Sequence, residues 1–137
     1  MFVTYTGPTN ERGEAHGRGR KEYADGSRYD GRWKDGKKHG HGFVFSSKHF
    51  DEGPDTDFRW RIEAEFKEGH LDGEEMLTIV TIGDGPQDFF TSWENGLLVA
   101  IKDLRLPEEE ATPALEKIRE EIEQMRESDS DEVEGPN

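Results

Sequence analysis

Four groups of side chains in this 137-residue chain have types and spacings that could do chemistry. His39 and His41 stand two apart. In a strand both imidazoles leave the same face, and a third ligand nearby would complete a metal site. Asp51, Asp55 and Asp57 suggest a calcium loop. An EF-hand loop counted from Asp51 needs glycine at Thr56 and glutamate at Ile62, and neither is present. Gly17-x-Gly19 and Gly40-x-Gly42 lack the third glycine and the following helix of a dinucleotide fingerprint, and no phosphate-loop motif or nucleophile elbow occurs. Ser128 and Ser130 lie among carboxylates in a pattern that suits an acidophilic kinase, and phosphate there would deepen the negative charge. Glutamates are abundant, but no spacing pairs two of them across a cleft for acid–base work. These residues point away from an enzyme: there is no catalytic, cofactor-binding or metal-ligating residue to name, and no cofactor is expected.

The elements that would position such groups are hairpins. Tyr29, Gly31 and Trp33 share one face of a strand, Asp35-Gly36 is a tight-turn pair, and Gly40 and Gly42 alternate on the returning strand. Alternating glycines weaken a strand unless something needs the room. Large rings that lie down across the neighbouring backbone would need it. On that reading Gly42→Val damages folding far more than Lys38→Val. The pattern repeats. Tyr5 and Gly7 match Tyr29 and Gly31, while Gly13, His16, Gly17 and Gly19 match Gly36, His39, Gly40 and Gly42, with one residue inserted between Gly7 and Gly13. His16 and His39 are thus set by the repeat and read first as structural, each imidazole closing a turn. Two degenerate copies follow. Ile62, Ala64, Phe66, Gly69, Asp72 and Gly73 form one, and Phe89, Thr91, Trp93 and Gly96 the other. A fixed period of this size predicts a repeat array.

The pattern Y-x-G-x-W-x-x-G-x-x-H-G-x-G, complete from Tyr29 to Gly42, resembles the MORN repeat. The resemblance implies a mainly β protein: a single-layer antiparallel sheet of MORN-type β-hairpin repeats, here with one C-terminal α-helix. The opening from Tyr5 to Gly19 also resembles the first repeat of radial spoke head proteins of the ciliary axoneme. Taken together these imply a non-catalytic scaffold that joins proteins in a cytoskeletal assembly, in the cytoplasm and at the axoneme of a cilium or flagellum. Some MORN proteins are proposed to bind membranes, so a peripheral adaptor on anionic phospholipid is the alternative.

Strict alternation in Trp60–Phe66 and the β-branched run Met76–Ile82 predict a third hairpin over 59–82. Asn95-Gly96 predicts a last one, with a type I′ turn, between Phe89–Trp93 and Leu97–Ile101. Residues 46–58, rich in Ser, Asp, Gly and Pro, read as a surface loop. Leu104 to Thr112 is a linker, Thr112 an N-cap and Pro113 a first helical residue. The helix then runs to Glu127 with an apolar stripe of Leu115, Ile118, Ile122 and Met125. The stripe packs either on this chain's sheet or on another chain. The chain thus divides into a repeat sheet over 1–103 (clean repeats 5–45, degenerate 59–101), a linker and amphipathic helix over 104–127, and an acidic disordered tail over 128–137.

Composition agrees with a thin fold. Hydrophobic residues make up 30% and charged residues 36%, which is little apolar material for a two-layer core. The absence of cysteine removes disulfides and thiolate sites. The start of the chain lacks the features of a secretory leader, and no apolar run reaches membrane-span length, so a soluble intracellular protein is expected. The net charge of −14 is uneven. The first 48 residues hold ten Lys/Arg against six Asp/Glu, the rest eight against 26. This acidity argues against nucleic acid. For a protein partner the candidate contacts are Tyr5, Tyr29, Trp33, Phe66 and Trp93 with Leu115, Ile118, Ile122 and Met125. For an anionic surface they are Arg18, Arg20, Lys21, Arg32, Lys34, Lys37 and Lys38. With only two clean repeats, self-association end to end is a further expectation.

Overall fold

The alternation of small or aromatic residues with charged ones drives this chain into strands that bury one face each. The computed structural model describes residues 3–48, 58–82, 85–105 and 107–131. Among these, β1 (Thr4–Thr6), β2 (Gly17–Glu22), β3 (Arg28–Lys34), β4 (Lys37–Lys48), β5 (Phe58–Lys67), β6 (His70–Leu71), β7 (Gly73–Ile82), β8 (Gly85–Glu94) and β9 (Leu97–Lys102) precede one helix, α1 (Glu108–Asp131). The strands form one antiparallel sheet in the order β1-β2-β3-β4-β5-β7-β8-β9, with β6 paired to β5 off that path. Each strand lies beside its neighbour in sequence, as a run of hairpins requires.

Three of the turns have two residues at positive φ: Asp35-Gly36 (48°, 85°), Glu68-Gly69 (54°, 87°) and Asn95-Gly96 (49°, 85°). That is the type I′ geometry whose twist matches the flanking strands. The inserted residue of the first unit widens its turn. Asn10 closes it by accepting from the Arg12 and Glu14 amides at 2.9 and 3.0 Å through its side-chain oxygen.

The rings do lie across the glycines. A Cβ placed on Gly42 would stand 2.5 Å from Tyr29 Cε1, and one on Gly19 would stand 2.7 Å from Tyr5 Cζ. Both tyrosines then donate to the carbonyl three residues on, Tyr5 to Pro8 at 2.6 Å and Tyr29 to Arg32 at 2.8 Å. The flattened rings meet edge to face along the sheet, Tyr5–Trp33 at 5.8 Å, Trp33–Tyr29 at 5.1 Å and Tyr29–Phe66 at 5.4 Å. Burial at Tyr29 drives its phenol well above the ordinary tyrosine range.

The units are also stitched to one another. The glycine amide of each I′ turn donates to the returning strand of the preceding unit: Gly36 to Ala15, Gly69 to Lys38 and Gly96 to Leu71, at 2.8, 3.0 and 2.8 Å. In the first and last of these the next residue accepts from the turn's other amide. His16 Nδ1 takes the Asp35 N–H at 3.2 Å, and Asp72, in the histidine's place, takes the Asn95 N–H at 3.0 Å. The repeat histidine therefore closes a turn, but that of the following unit.

Helix α1 packs on the ring-bearing face and settles the choice left open by its stripe. Leu115, Ile118, Ile122 and Met125 are buried with Ala111 and Ala114, each large side chain contributing roughly 1.5–3 kcal/mol. Three expectations need correction. The helix begins at Glu108 rather than at Pro113, so Pro113 lies inside it. Three glutamates in the first turn suit the helix N-terminus, and the carbonyl that Pro113 leaves without a donor is close to the helix end. The helix also runs on to Asp131, so residues 128–131 are not part of a disordered tail; residues 132–137 lie outside the described residues. Strands β4 and β5 reach Lys48 and Phe58, so the surface loop expected over 46–58 is narrower. Its residues 49–57, including Asp51, Asp55 and Asp57, lie outside the described residues.

Candidate interaction faces

Period-two alternation gives the sheet two unlike faces. The inner face holds Tyr29, Gly31 and Trp33 of β3, Gly42, Val44 and Ser46 of β4, Trp60, Ile62, Ala64 and Phe66 of β5, Met76, Thr78 and Val80 of β7, and Phe89, Thr91 and Trp93 of β8, all buried. Every residue named above as a protein contact lies here or on the helix opposite. Tyr29, Trp33, Phe66, Trp93, Leu115, Ile118, Ile122 and Met125 are between 0% and 4% exposed, and Tyr5 is half-buried at the rim. They are brought together as one core. While the helix is seated, no partner reaches them.

Three polar clusters thread that core. Lys21 and Lys38, expected on an anionic surface, point inward and are 1% and 0% exposed. The correction follows from the strand period: Lys21 continues the Gly17-Gly19 face and Lys38 the Gly40-Gly42 face. Both meet Asp129 of α1, Lys21 Nζ at 2.7 Å from Oδ1 and Lys38 Nζ at 2.6 Å from Oδ2, while Tyr23 donates to Oδ1 at 2.8 Å. The rings of Tyr23, Tyr29, Trp33 and Phe66 surround Lys38 Nζ at 5.1–5.8 Å. Loss of hydration pulls the Lys38 ammonium below the ordinary lysine range, against the pull of Asp129. Further along the helix Glu121 accepts from Ser46 Oγ at 2.8 Å and Trp60 Nε1 at 2.9 Å. Beyond it Thr78 and Thr91 share a 2.8 Å hydrogen bond, and Trp93 Nε1 donates to Thr91 at 2.7 Å. Sequence reasoning missed Asp129 because the apolar stripe of the helix ends at Met125. Continued at its own spacing, the next position is Asp129.

Among the described residues no helix lies on the outer face. Arg18, Arg20, Arg32, Lys34 and Lys37 are exposed. Arg18 and Arg32 face each other directly across β2 and β3, a like-charge pairing that costs stability unless a counter-charge arrives. Next to these cations runs an aromatic pair, Phe43 and Phe45, stacked at 6.5 Å. Arg28 sits 4.5 Å over the Phe45 ring, and Arg61 sits 5.3 and 5.6 Å over the two rings. Leu77, Ile79 and Phe90 extend the half-buried apolar band toward β8. His41, one of the pair weighed as a metal site, is bonded to Glu63 at 3.0 Å instead. Arg59 and Arg61 were not singled out from the sequence, although alternation alone puts them opposite the buried row.

At the turn end, Asn10 Nδ2 donates to Glu14 at 2.9 Å and to Asp35 at 3.0 Å, joining the first two units. Its hydrogen bond is the main reason that both carboxyls sit below their ordinary values, 4.5 and 3.8. A lowered folded value means stability that is present above the ordinary value and lost as pH falls through the folded one. In an NMR pH titration Glu14 and Asp35 should therefore titrate below 4.5 and 3.8, and Asn10→Ala should raise both midpoints. Midpoints unmoved by the substitution would mean that Asn10 does not hold the turns together.

No helix among the described residues is long and apolar enough to cross a membrane. Comparison with protein families finds a match to the MORN repeat over residues 11–28 and 29–44, about a quarter of the chain. The first matched segment begins inside the unit from Tyr5 to Gly19, the second begins at Tyr29, and the matched residues end at Val44. A search of curated proteins gives no match.

Proposed function

The chain is a MORN-repeat protein, and from that premise we propose that it is a non-catalytic scaffold whose bare sheet face joins proteins in a cytoskeletal assembly. MORN repeats generally serve protein or membrane contacts and form a non-catalytic repeat class. The observation that carries the choice is the asymmetry of the sheet. The helix covers one face down to a few per cent exposure, while the other presents arginines interleaved with phenylalanines. Aromatic and arginine side chains are the types that dominate protein interfaces. The setting we propose is the axoneme of a cilium or flagellum, in a radial spoke or a neighbouring complex, on the likeness of the first unit to radial spoke head repeats.

The second reading is a peripheral adaptor on anionic phospholipid, favoured by the exposed Arg18, Arg20, Arg32, Lys34 and Lys37. Each cation near such a surface contributes about 1 kcal/mol, opposed by the acidic remainder of the chain. Two experiments separate the readings. The tagged chain should stay with detergent-extracted axonemes and should not float with phosphatidylserine vesicles at physiological salt. Flotation with the vesicles, together with loss from the extracted axonemes, reverses the ranking.

A further inference from the structure

The outer face has one concavity whose chemistry is more specific than a basic surface. It encloses about 310 Å³ and is lined by Arg28, Phe45, Arg59, Arg61, Ile79 and Thr81, among others. Its position follows from register. Arg28 pairs with Phe45, Phe45 with Arg61 and Arg61 with Ile79, so these four side chains form one row across β3, β4, β5 and β7. Arg59 and Thr81 form the row beside it. The guanidinium groups of Arg28 and Arg61 thus meet over an aromatic and aliphatic floor, and no carboxylate is among the described lining residues. The Arg28 Nε is shut off from water and has no hydrogen-bond partner among the described residues. A buried donor left without a partner destabilises a fold. The fold carries that cost at a place where two guanidiniums are already held against rings.

We propose that this concavity is a docking site for an acidic segment of a partner protein, one in which carboxylates alternate with apolar side chains. The proposal rests on the scaffold reading and names the chemistry of the partner. Guanidinium forks match carboxylates bidentately. Ring contact with Phe43 and Phe45 restricts Arg28 and Arg61 before the ligand arrives, so less side-chain freedom is lost on binding. Phe45 and Ile79 give apolar side chains of the same segment a surface to cover. A bare anion such as phosphate would leave that surface wet. In an extended segment, alternate residues face one way at about 7 Å intervals, comparable with the spacing of i and i+2 positions along β5. Arg18, Arg20 and Arg32 lie on the same face, where Asp30, Glu63 and Glu65 alternate with them, so the concavity and not the face as a whole selects the carboxylates.

The test uses the full chain and a fluorescently labelled ten-residue peptide alternating glutamate with leucine, followed by anisotropy at physiological salt. A copy with glutamine for glutamate, phosphatidylserine vesicles and inorganic phosphate serve as comparisons. Saturable binding is expected, with at least about a tenfold loss for Arg28→Gln/Arg61→Gln and for the glutamine peptide, and less than about threefold for Arg18→Gln/Arg32→Gln. Thermal melts confirm that both variants fold. Should the first unfold, amide shifts in the unaltered chain at Phe45, Ile79 and Thr81 on peptide addition give the same answer. Equal losses for the two double variants, absent binding, or tighter binding to vesicles or phosphate than to the peptide would overturn the docking site. Axonemal capture that survives Arg28→Gln/Arg61→Gln would overturn it too, while leaving the scaffold reading in place.

Discussion

Asp129→Ala should lower the stability of the chain by about 3–5 kcal/mol in urea denaturation, the range for breaking a buried ion pair by removing one partner. The carboxylate is 3% exposed and receives two ammonium groups that are 1% and 0% exposed. Alanine removes from both cations the carboxylate that bridges them in the interior. Their mutual repulsion, no longer offset by that carboxylate, adds to the lost hydration. The least costly escape is undocking of the last turns of α1, which lets water reach Lys21 and Lys38. Hydrogen exchange should therefore speed up most at residues 125–131. A converse variant separates this charge argument from a simple packing one. Lys21→Met, Lys38→Met and Asp129→Leu together remove these three charges and should recover most of the loss, because a well-packed apolar replacement of a buried ion pair is often neutral or stabilising. The exposed Glu127→Ala serves as control and should stay within about 0.5 kcal/mol of the parent. An Asp129→Ala chain as stable as that control would mean that the helix end is not anchored by these lysines.

Gly42→Val should cost about 3 kcal/mol or more, above the usual range for overpacking, because neither neighbour can retreat. The new Cβ would stand 2.5 Å from Tyr29 Cε1. The tyrosine ring is fully buried, tied through its hydroxyl to the Arg32 carbonyl, and wedged between Trp33 and Phe66. The glycine backbone is held in register opposite Gly31. Strain must therefore spread into the β3–β4 pairing. Lys38→Val, the comparison suggested by sequence, is not a harmless one, since Lys38 is buried on Asp129; Lys34→Val is the proper control and should change stability by no more than about 0.5 kcal/mol. A cycle with Tyr29→Leu sharpens the result. Without the ring, Gly42→Ala should lose much of its cost. Additive effects of the two substitutions would show that ring and glycine do not share the same space.

These two positions show how far local pattern carries. The Tyr29–Gly42 relation was readable because both ends lie in one hairpin, where spacing two and a turn pair fix the partners. The I′ turn at Asn95-Gly96 was readable for the same reason. The equivalent turn at Glu68-Gly69 has a residue that seldom takes positive φ, and it was placed by the repeat instead. Asp129 was not readable. Its partners lie 91 and 108 residues away, and Ser-Asp-Ser-Asp is a poor local argument for helix, with carboxylates at the unfavourable end of the dipole. Lysines are almost never fully buried unless paired, so without the pair in view Lys21 and Lys38 read as surface. Arg59 and Arg61 of the outer face were passed over for a related reason. Their exposure was legible from alternation, but their convergence required knowing that β3, β4, β5 and β7 are neighbours in that register.

Residue order alone makes this protein a run of hairpins with rings laid over glycines, because hairpin geometry depends on residues a few positions apart. It also determined that a helix follows with one apolar stripe. Packing across the whole molecule set which face of the sheet that helix covers. It decided too that two cations of the repeat belong to the core. Burial and pairing of charge are properties of distant segments brought together, and no local spacing encodes them.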